Sequence, residues 1–192
     1  MIERLDQQLF LYINSFNSPF WDQVMSIISG TVTWVPVYLA ILIYLGVKLK
    51  RKFIVLILVI ALAVTMSDQI SVLIKNSVHR LRPCHQPELE GLVHLVKGYC
   101  GGLYGFVSSH ASNSFMVATL CILMIRRRWF TWAMIFWAVI ICYSRIYLGV
   151  HYPGDVICGS LLGIIVGWVI YRLYQYIDKT LLPKWKFFSP EQ

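Results

Sequence analysis

Three short clusters in this chain combine cations, histidines and one carboxylate at fixed spacings. Lys75 stands six residues ahead of the pair Arg82-Pro83. Ser108, Ser109 and His110 are consecutive. Ser144-Arg145 precedes His151, which precedes Asp155. Arginine forks match the non-bridging oxygens of phosphate, and lysine adds a point charge. Lys75, Arg82 and Arg145 therefore make a phosphate-binding set. Ser108 and Ser109 open a helix whose free N–H groups favour an anion, and their hydroxyls can cap that helix or donate to phosphate. His151 and Asp155 stand i, i+4, so helical or turn geometry brings them together. A carboxylate on one imidazole nitrogen fixes the tautomer and leaves the other nitrogen as a nucleophile. His110 supplies a second imidazole to protonate a leaving oxygen. Zinc on His110, His151 and Asp155 is the weaker reading, because three nearby cations repel a divalent ion and suit an anion. No metal and no cofactor are expected.

Each cluster lies where an apolar run meets a polar one. The chain has 192 residues, of which 58% are hydrophobic, and a mean hydropathy of +0.65. Runs at 32–47, 53–64, 115–125, 129–143 and 156–171 are almost free of charge. With their flanks, each approaches the roughly 20 residues needed to cross a bilayer. These runs exclude an ordinary soluble domain and predict an all-α, polytopic membrane helix bundle of about five to six spans. Spans are expected near residues 24–47, 53–76, 110–126, 129–147 and 155–177, in one domain covering 1–192. Leu5, Leu9, Phe10, Ile13 and Phe16 recur at helical spacing. They predict a short amphipathic helix within residues 1–20, on the membrane surface or packed on the bundle. The start of the chain does not read as a cleavable signal peptide.

The net charge of +8 is concentrated. Lys48, Lys50, Arg51 and Lys52 form one group, Arg126, Arg127 and Arg128 another, and Lys179, Lys184 and Lys186 a third. Alternate crossing puts all three groups on one side, which the positive-inside rule makes cytoplasmic. The groups are short turns between apolar runs. They suit anionic lipid headgroups rather than nucleic acid. Lys75, His110, Arg145 and Asp155 then fall together at the opposite, outer surface of a cell membrane. For each cation alone, snorkelling to the interface is an adequate account. Three at one depth beside two histidines point to a site.

These residues resemble the signature of the type 2 phosphatidic acid phosphatases, the PAP2 superfamily, written K-x6-RP, PSGH and SR-x5-H-x3-D. The first and third parts are complete in Lys75, Arg82 and Pro83, and in Ser144, Arg145, His151 and Asp155. The middle part departs, with Val107 and Ser109 where the family has proline and glycine. The resemblance implies a helical bundle and metal-independent phosphoryl transfer. In it His151 attacks phosphorus, Asp155 orients His151, and His110 protonates the departing lipid oxygen. Lys75, Arg82, Arg145 and the serines hold the phosphoryl group. The expected function is hydrolysis of a lipid phosphate or diphosphate ester at the outer face, on a lipid of the undecaprenyl diphosphate, phosphatidylglycerol phosphate or lipid A type. A phosphotransferase using the same site, or a non-catalytic binder of lipid phosphate, are the alternatives. The expected partners are the phosphorylated substrate and membrane lipids.

The stretch 84–109 carries Pro87 and five glycines and reads as a loop over the mouth of the site. Cys84 and Cys100 lie in it, where an oxidising compartment permits a disulfide. His79, His85 and His94 read as solvated loop histidines. Asp68 lies inside the second span, as an aid to Lys75 or as a polar contact between helices.

Overall fold

The computed structural model describes residues 1–182; Lys184 and Lys186 of the third basic group lie outside them. The described residues form seven α-helices joined by turns and short 3-10 segments. They are α1 (Ile2–Asn14), α2 (Pro19–Ser29), α3 (Val35–Leu49), α4 (Phe53–Val78), α5 (Ser109–Ile125), α6 (Arg128–Tyr147) and α7 (Pro153–Tyr176). Three stretches are long and apolar enough to cross a membrane: Thr31–Val78, Arg128–Tyr147 and Pro153–Thr180. The first is a hairpin, because α3 and α4 meet at the Lys50–Lys52 turn. With the shorter apolar α5, five helices build the bundle, and their outward faces carry exposed Leu58, Phe136, Ile157 and Ile165.

The first expected span is corrected. Residues 24–47 are not one helix. Ser18 caps α2 by accepting from the Trp21 N–H, and Pro19 sits in its first turn. Gly30 then leaves helical geometry (φ −72°, ψ 124°), and Thr33 Oγ1 and Trp34 Nε1 bond back to the carbonyls of Ile27 and Ile28. Those bonds occupy α2's final carbonyls and turn the chain into α3. At 11 residues, α2 is too short to span.

Helix α1 packs on α6 and α7 at the end of the bundle where α7 begins. Phe10 is fully buried against Tyr152 and Val156, while Leu5, Leu9, Tyr12 and Phe16 are exposed. It presents apolar side chains both to the bundle and away from it.

The closest helix contact is α5 on α7. Gly159, Gly163 and Gly167 recur every four residues on one face of α7. A Cβ at these positions would strike the Ser108, Ser112 and Met116 carbonyls of α5. Small residues at that period let two membrane helices approach backbone to backbone. At the opposite end, Lys52 Nζ meets Asp178 Oδ1 at 2.7 Å, and Arg126 donates to the Tyr171 hydroxyl at 2.7 Å.

The loop between α4 and α5 is held rather than loose. Leu81 pairs with Tyr104, and Cys84 is joined to Cys100 with their Cα atoms 6.0 Å apart. His94 is not a solvated histidine. Its Nε2 lies 3.0 Å from Asp22 Oδ1, and its backbone N–H donates to Asn14 Oδ1. Asn14 Nδ2 in turn donates to the carbonyls of His94 and Tyr147, tying α1, the loop and α6 together. His79 ends α4 in the left-handed region (φ 54°) and stacks edge-on to Tyr104, while His85 is exposed.

Two outcomes follow from this packing. Gly163→Leu is expected to destabilise the bundle by about 3 kcal/mol or more, the upper end of overpacking costs, read as a lowered midpoint in thermal unfolding of detergent-purified protein. Alkylation of unfolded, unreduced protein is expected to label Cys121, Cys142 and Cys158 alone, with Cys84 and Cys100 adding two labels after reduction.

Candidate active site

At one end of the bundle, four helices and two loops supply the site. Lys75 lies in the last turn of α4 and Arg82 follows in the loop. Ser108 caps α5, its Oγ accepting the Ala111 N–H at 3.5 Å, and His110 stands in the first turn. Arg145 lies in the last turn of α6. His151 sits in the turn between α6 and α7, and Asp155 in the first turn of α7. All eight residues singled out from the sequence are at this end of the bundle. Gly149 makes the turn to His151 with φ +78°, and a Cβ there would meet the His94 carbonyl at 2.6 Å. Only glycine fits both constraints.

Asp155 is fully buried and serves its own helix first. Its Oδ2 accepts the Tyr152 N–H at 3.0 Å, reaching back to the residue that precedes α7. The same oxygen lies 3.5 Å from His151 Nδ1. That is a charge contact rather than a formed hydrogen bond, and the Gly105 backbone lies beside the same buried ring. With Nδ1 turned to the carboxylate, Nε2 is the nitrogen left to attack. Burial first, then the cations Arg82, Arg145 and Lys75, push the His151 imidazole well below its ordinary range. It is neutral at physiological pH, the form a nucleophile needs.

Each cation is anchored through its neighbours. Lys75 Nζ donates to Ser109 Oγ, which also meets Ser71 Oγ at 2.6 Å. The Ser109 hydroxyl thus holds Lys75 in place. Arg82 is fixed by the carbonyls of Tyr104, Cys100 and Val150 at 3.3–3.4 Å. Arg145 donates to Ser29 Oγ of α2, while its buried Nε has no partner among the described residues. The Ser108 N–H donates to the Asp155 carbonyl at 3.0 Å, joining the starts of α5 and α7. Two helix N-termini and three cations thus converge where two imidazoles stand, and that arrangement suits a phosphoryl group.

Three features escaped the sequence reading. Arg80 Nη1 meets Asp155 Oδ1 at 2.7 Å, and its Nη2 meets Asp6 Oδ2 of α1 at 2.8 Å. Only its place two residues before Arg82 pointed to Arg80, and nothing local pointed to Asp6. Gly105 packs so closely that an added Cβ would lie 2.9 Å from Asp155 Oδ2 and 3.6 Å from His151 Nδ1. The third is an apolar cavity of about 430 Å³ between α3, α4 and α5. Tyr38, Leu42, Ile60, Val64 and Val117 are among its walls, and His110 and Ser29 stand in its lining too. Of the described residues, Cys84, His85 and Cys100 group closely enough to share a metal ion, but the two sulfurs form the disulfide.

Comparison with known proteins identifies the family and the fold. Residues 52–179 match the family model described as the PAP2 superfamily. The chain is 42% identical over 181 residues to the lipid A 4'-phosphatase of Bacteroides thetaiotaomicron, covering 92% of this chain and 80% of that protein. It is 36% identical over 179 residues to the lipid A 4'-phosphatase of Porphyromonas gingivalis, covering 91% and 75%. The crystal structure of Aquifex aeolicus LpxE superposes with a TM-score of 0.68 at 26% identity, covering 86% of this chain and 93% of that one. A transmembrane PAP2-type phosphatidylglycerolphosphate phosphatase from Bacillus subtilis matches in fold, with a TM-score of 0.72 at 19% identity over 93% and 89%. The motifs at Lys75, His110 and His151 lie inside the matched region and at one end of the bundle, so the chain belongs to the PAP2 superfamily.

Proposed function

We propose that this protein is a membrane phosphatase that removes a phosphate from a lipid of the lipid A type, at the outer face of a cell membrane, through a phosphohistidine. The observation that carries the reading is the cavity on α5. Its walls are mostly hydrocarbon, and His110 of the site stands in its lining with Ser29, Asn113 and Ser114. A phosphoryl group held by Lys75, Arg82 and Arg145 can therefore have its lipid tail in the bundle while the bond to be broken lies between the two imidazoles. The relatives named for lipid A support that class of headgroup.

In the first step His151 Nε2 attacks phosphorus and the bond to the lipid oxygen breaks. His110 gives its proton to that oxygen. In the second step water attacks the phosphohistidine and His110 takes the proton. The bond from phosphorus to nitrogen breaks and inorganic phosphate leaves. Asp155 faces the positive charge that His151 acquires. Lys75, Arg82, Arg145 and the N-terminus of α5 hold the equatorial oxygens, where charge persists through the transition state. The basic turns at Lys50–Lys52 and Arg126–Arg128 are at the opposite end, and the positive-inside rule makes that end cytoplasmic.

The test is phosphate release by detergent-purified protein, with EDTA present, from lipid A, undecaprenyl diphosphate and phosphatidylglycerol phosphate. Lipid A is expected to be the preferred substrate. His151→Ala is expected to lose activity on the order of 10⁴-fold or more, as removal of a nucleophile does. Near-normal turnover by that variant, or activity that EDTA abolishes and zinc restores, would overturn the mechanism. Transfer of phosphate to an added lipid alcohol in place of release would make the protein a transferase.

The cavity has its own consequence. Val117→Trp narrows it. That change is expected to raise KM for a long-chain lipid by roughly tenfold, the worth of about two buried methylene groups. Turnover of a short, water-soluble phosphate ester is expected to stay the same. An equal effect on both substrates would show that the tail lies elsewhere.

A further inference from the structure

We propose that α1 is part of the catalytic apparatus: Asp6, acting through Arg80, positions Asp155 and keeps its charge available to His151. The inference rests on the phosphohistidine reading and assigns two positioning residues to it.

The geometry is a chain of charge that crosses the molecule from α1 to α7. Arg80 divides its guanidinium between two carboxylates, with Nη1 on Asp155 Oδ1 at 2.7 Å and Nη2 on Asp6 Oδ2 at 2.8 Å. Asp6 Oδ1 accepts the Gly154 N–H at 2.8 Å, so the same carboxylate also grips the first turn of α7. Below the guanidinium lies the Tyr152 ring, its centroid 4.2 Å away. Arg80 is 19% exposed and Asp6 13%, so neither is a solvated surface charge. Asp155 is left with one oxygen on Arg80 and the other facing Tyr152 N–H and His151.

Charge balance explains why Asp6 is needed. The charged and titratable groups facing His151 are Lys75 from α4, Arg82 from the following loop, His110 from α5, Arg145 from α6 and Asp155 from α7, with Tyr99 near Arg82 and Arg145 and Arg80 joined through Asp155. Asp155 is the carboxylate among them. An arginine paired to it alone would cancel the charge that must stabilise the positive imidazole formed on attack. Asp6 takes up half of the Arg80 fork. The Asp6–Arg80–Asp155 set then carries a net charge of minus one, while Arg80 still fixes the carboxylate in place.

The test uses the full chain in detergent and compares wild type with Asp6→Asn, Asp6→Glu and His151→Ala. Asparagine keeps an oxygen for the Gly154 N–H and removes the charge. Phosphate release from lipid A is expected to fall roughly 10- to 100-fold in kcat for Asp6→Asn, the range seen when a supporting partner is lost. KM should stay within about twofold, the mark of an interaction made in the transition state. Removing a negative charge disfavours the imidazolium, so the acid limb of kcat/KM should move to lower pH. Asp6→Glu, which keeps the charge, should recover both. Binding of orthovanadate, which takes an imidazole as an apical ligand, reports the same nucleophile without any lipid. It should weaken by a similar factor in Asp6→Asn and vanish in His151→Ala.

A folded Asp6→Asn with wild-type kcat, pH profile and vanadate affinity overturns the inference, whatever lipid is cleaved. Equal losses in Asp6→Asn and Asp6→Glu, with lowered melting points and no shift of the acid limb, also overturn it, because the role is then structural. If vanadate binding depends on His151 and Asp6 but no lipid releases phosphate, the charge chain stands and the lipid phosphatase reading falls.

Discussion

The site depends on the backbone contact between α5 and α7. Three glycines on α7 let its axis lie against the carbonyls of α5. That approach brings the starts of both helices to one point, where the Ser108 N–H donates to the Asp155 carbonyl. His110 follows directly on α5, and His151 directly precedes α7. A side chain at Gly163 would push the two helix starts apart, and with them the two imidazoles.

That contact also creates an electrostatic difficulty that the other elements resolve. Two helix N-termini and three cations face a small, largely buried volume. Every like charge there costs energy unless an anion is present. Part of the compensation is built in, as carbonyls on Arg82, a hydroxyl on Lys75 and another on Arg145. The unpartnered Arg145 Nε is what a phosphate dianion would complete. The outermost compensation comes from α1, through Asp6 on Arg80, with Phe10 packed on Tyr152 and Asn14 bonded to the Tyr147 carbonyl. A segment that reads as an amphipathic helix on the membrane surface or packed on the bundle therefore also holds Arg80 and the first turn of α7.

Much of this was legible in the chain. The apolar runs located the five long helices, because a spanning helix must satisfy its own backbone and expose hydrocarbon along its length. The error at the first span came from the same signal. Hydropathy runs unbroken through Gly30, and only backbone geometry shows that α2 ends there. The glycine period on α7 was readable but indistinguishable, in one sequence, from glycines tolerated in any membrane helix. Solvated loop histidines were the reading for His79, His85 and His94, and for His94 the partner Asp22 lies far away in sequence.

By itself, the sequence singled out the residues expected to carry chemistry and the helix ends that hold them, because motif spacing and the alternation of crossings are properties of the chain. It determined the sign of the site as well, since three cations outweigh one carboxylate at that end. Only the tertiary structure decided how that carboxylate is held. Arg80 reaches Asp155 across 75 positions and Asp6 across 74, and Gly105 comes against Asp155 and His151 from the far end of a loop. Contacts at such separations depend on how helices pack and how a crosslinked loop folds back, and neither leaves a periodic trace in the residues that make them.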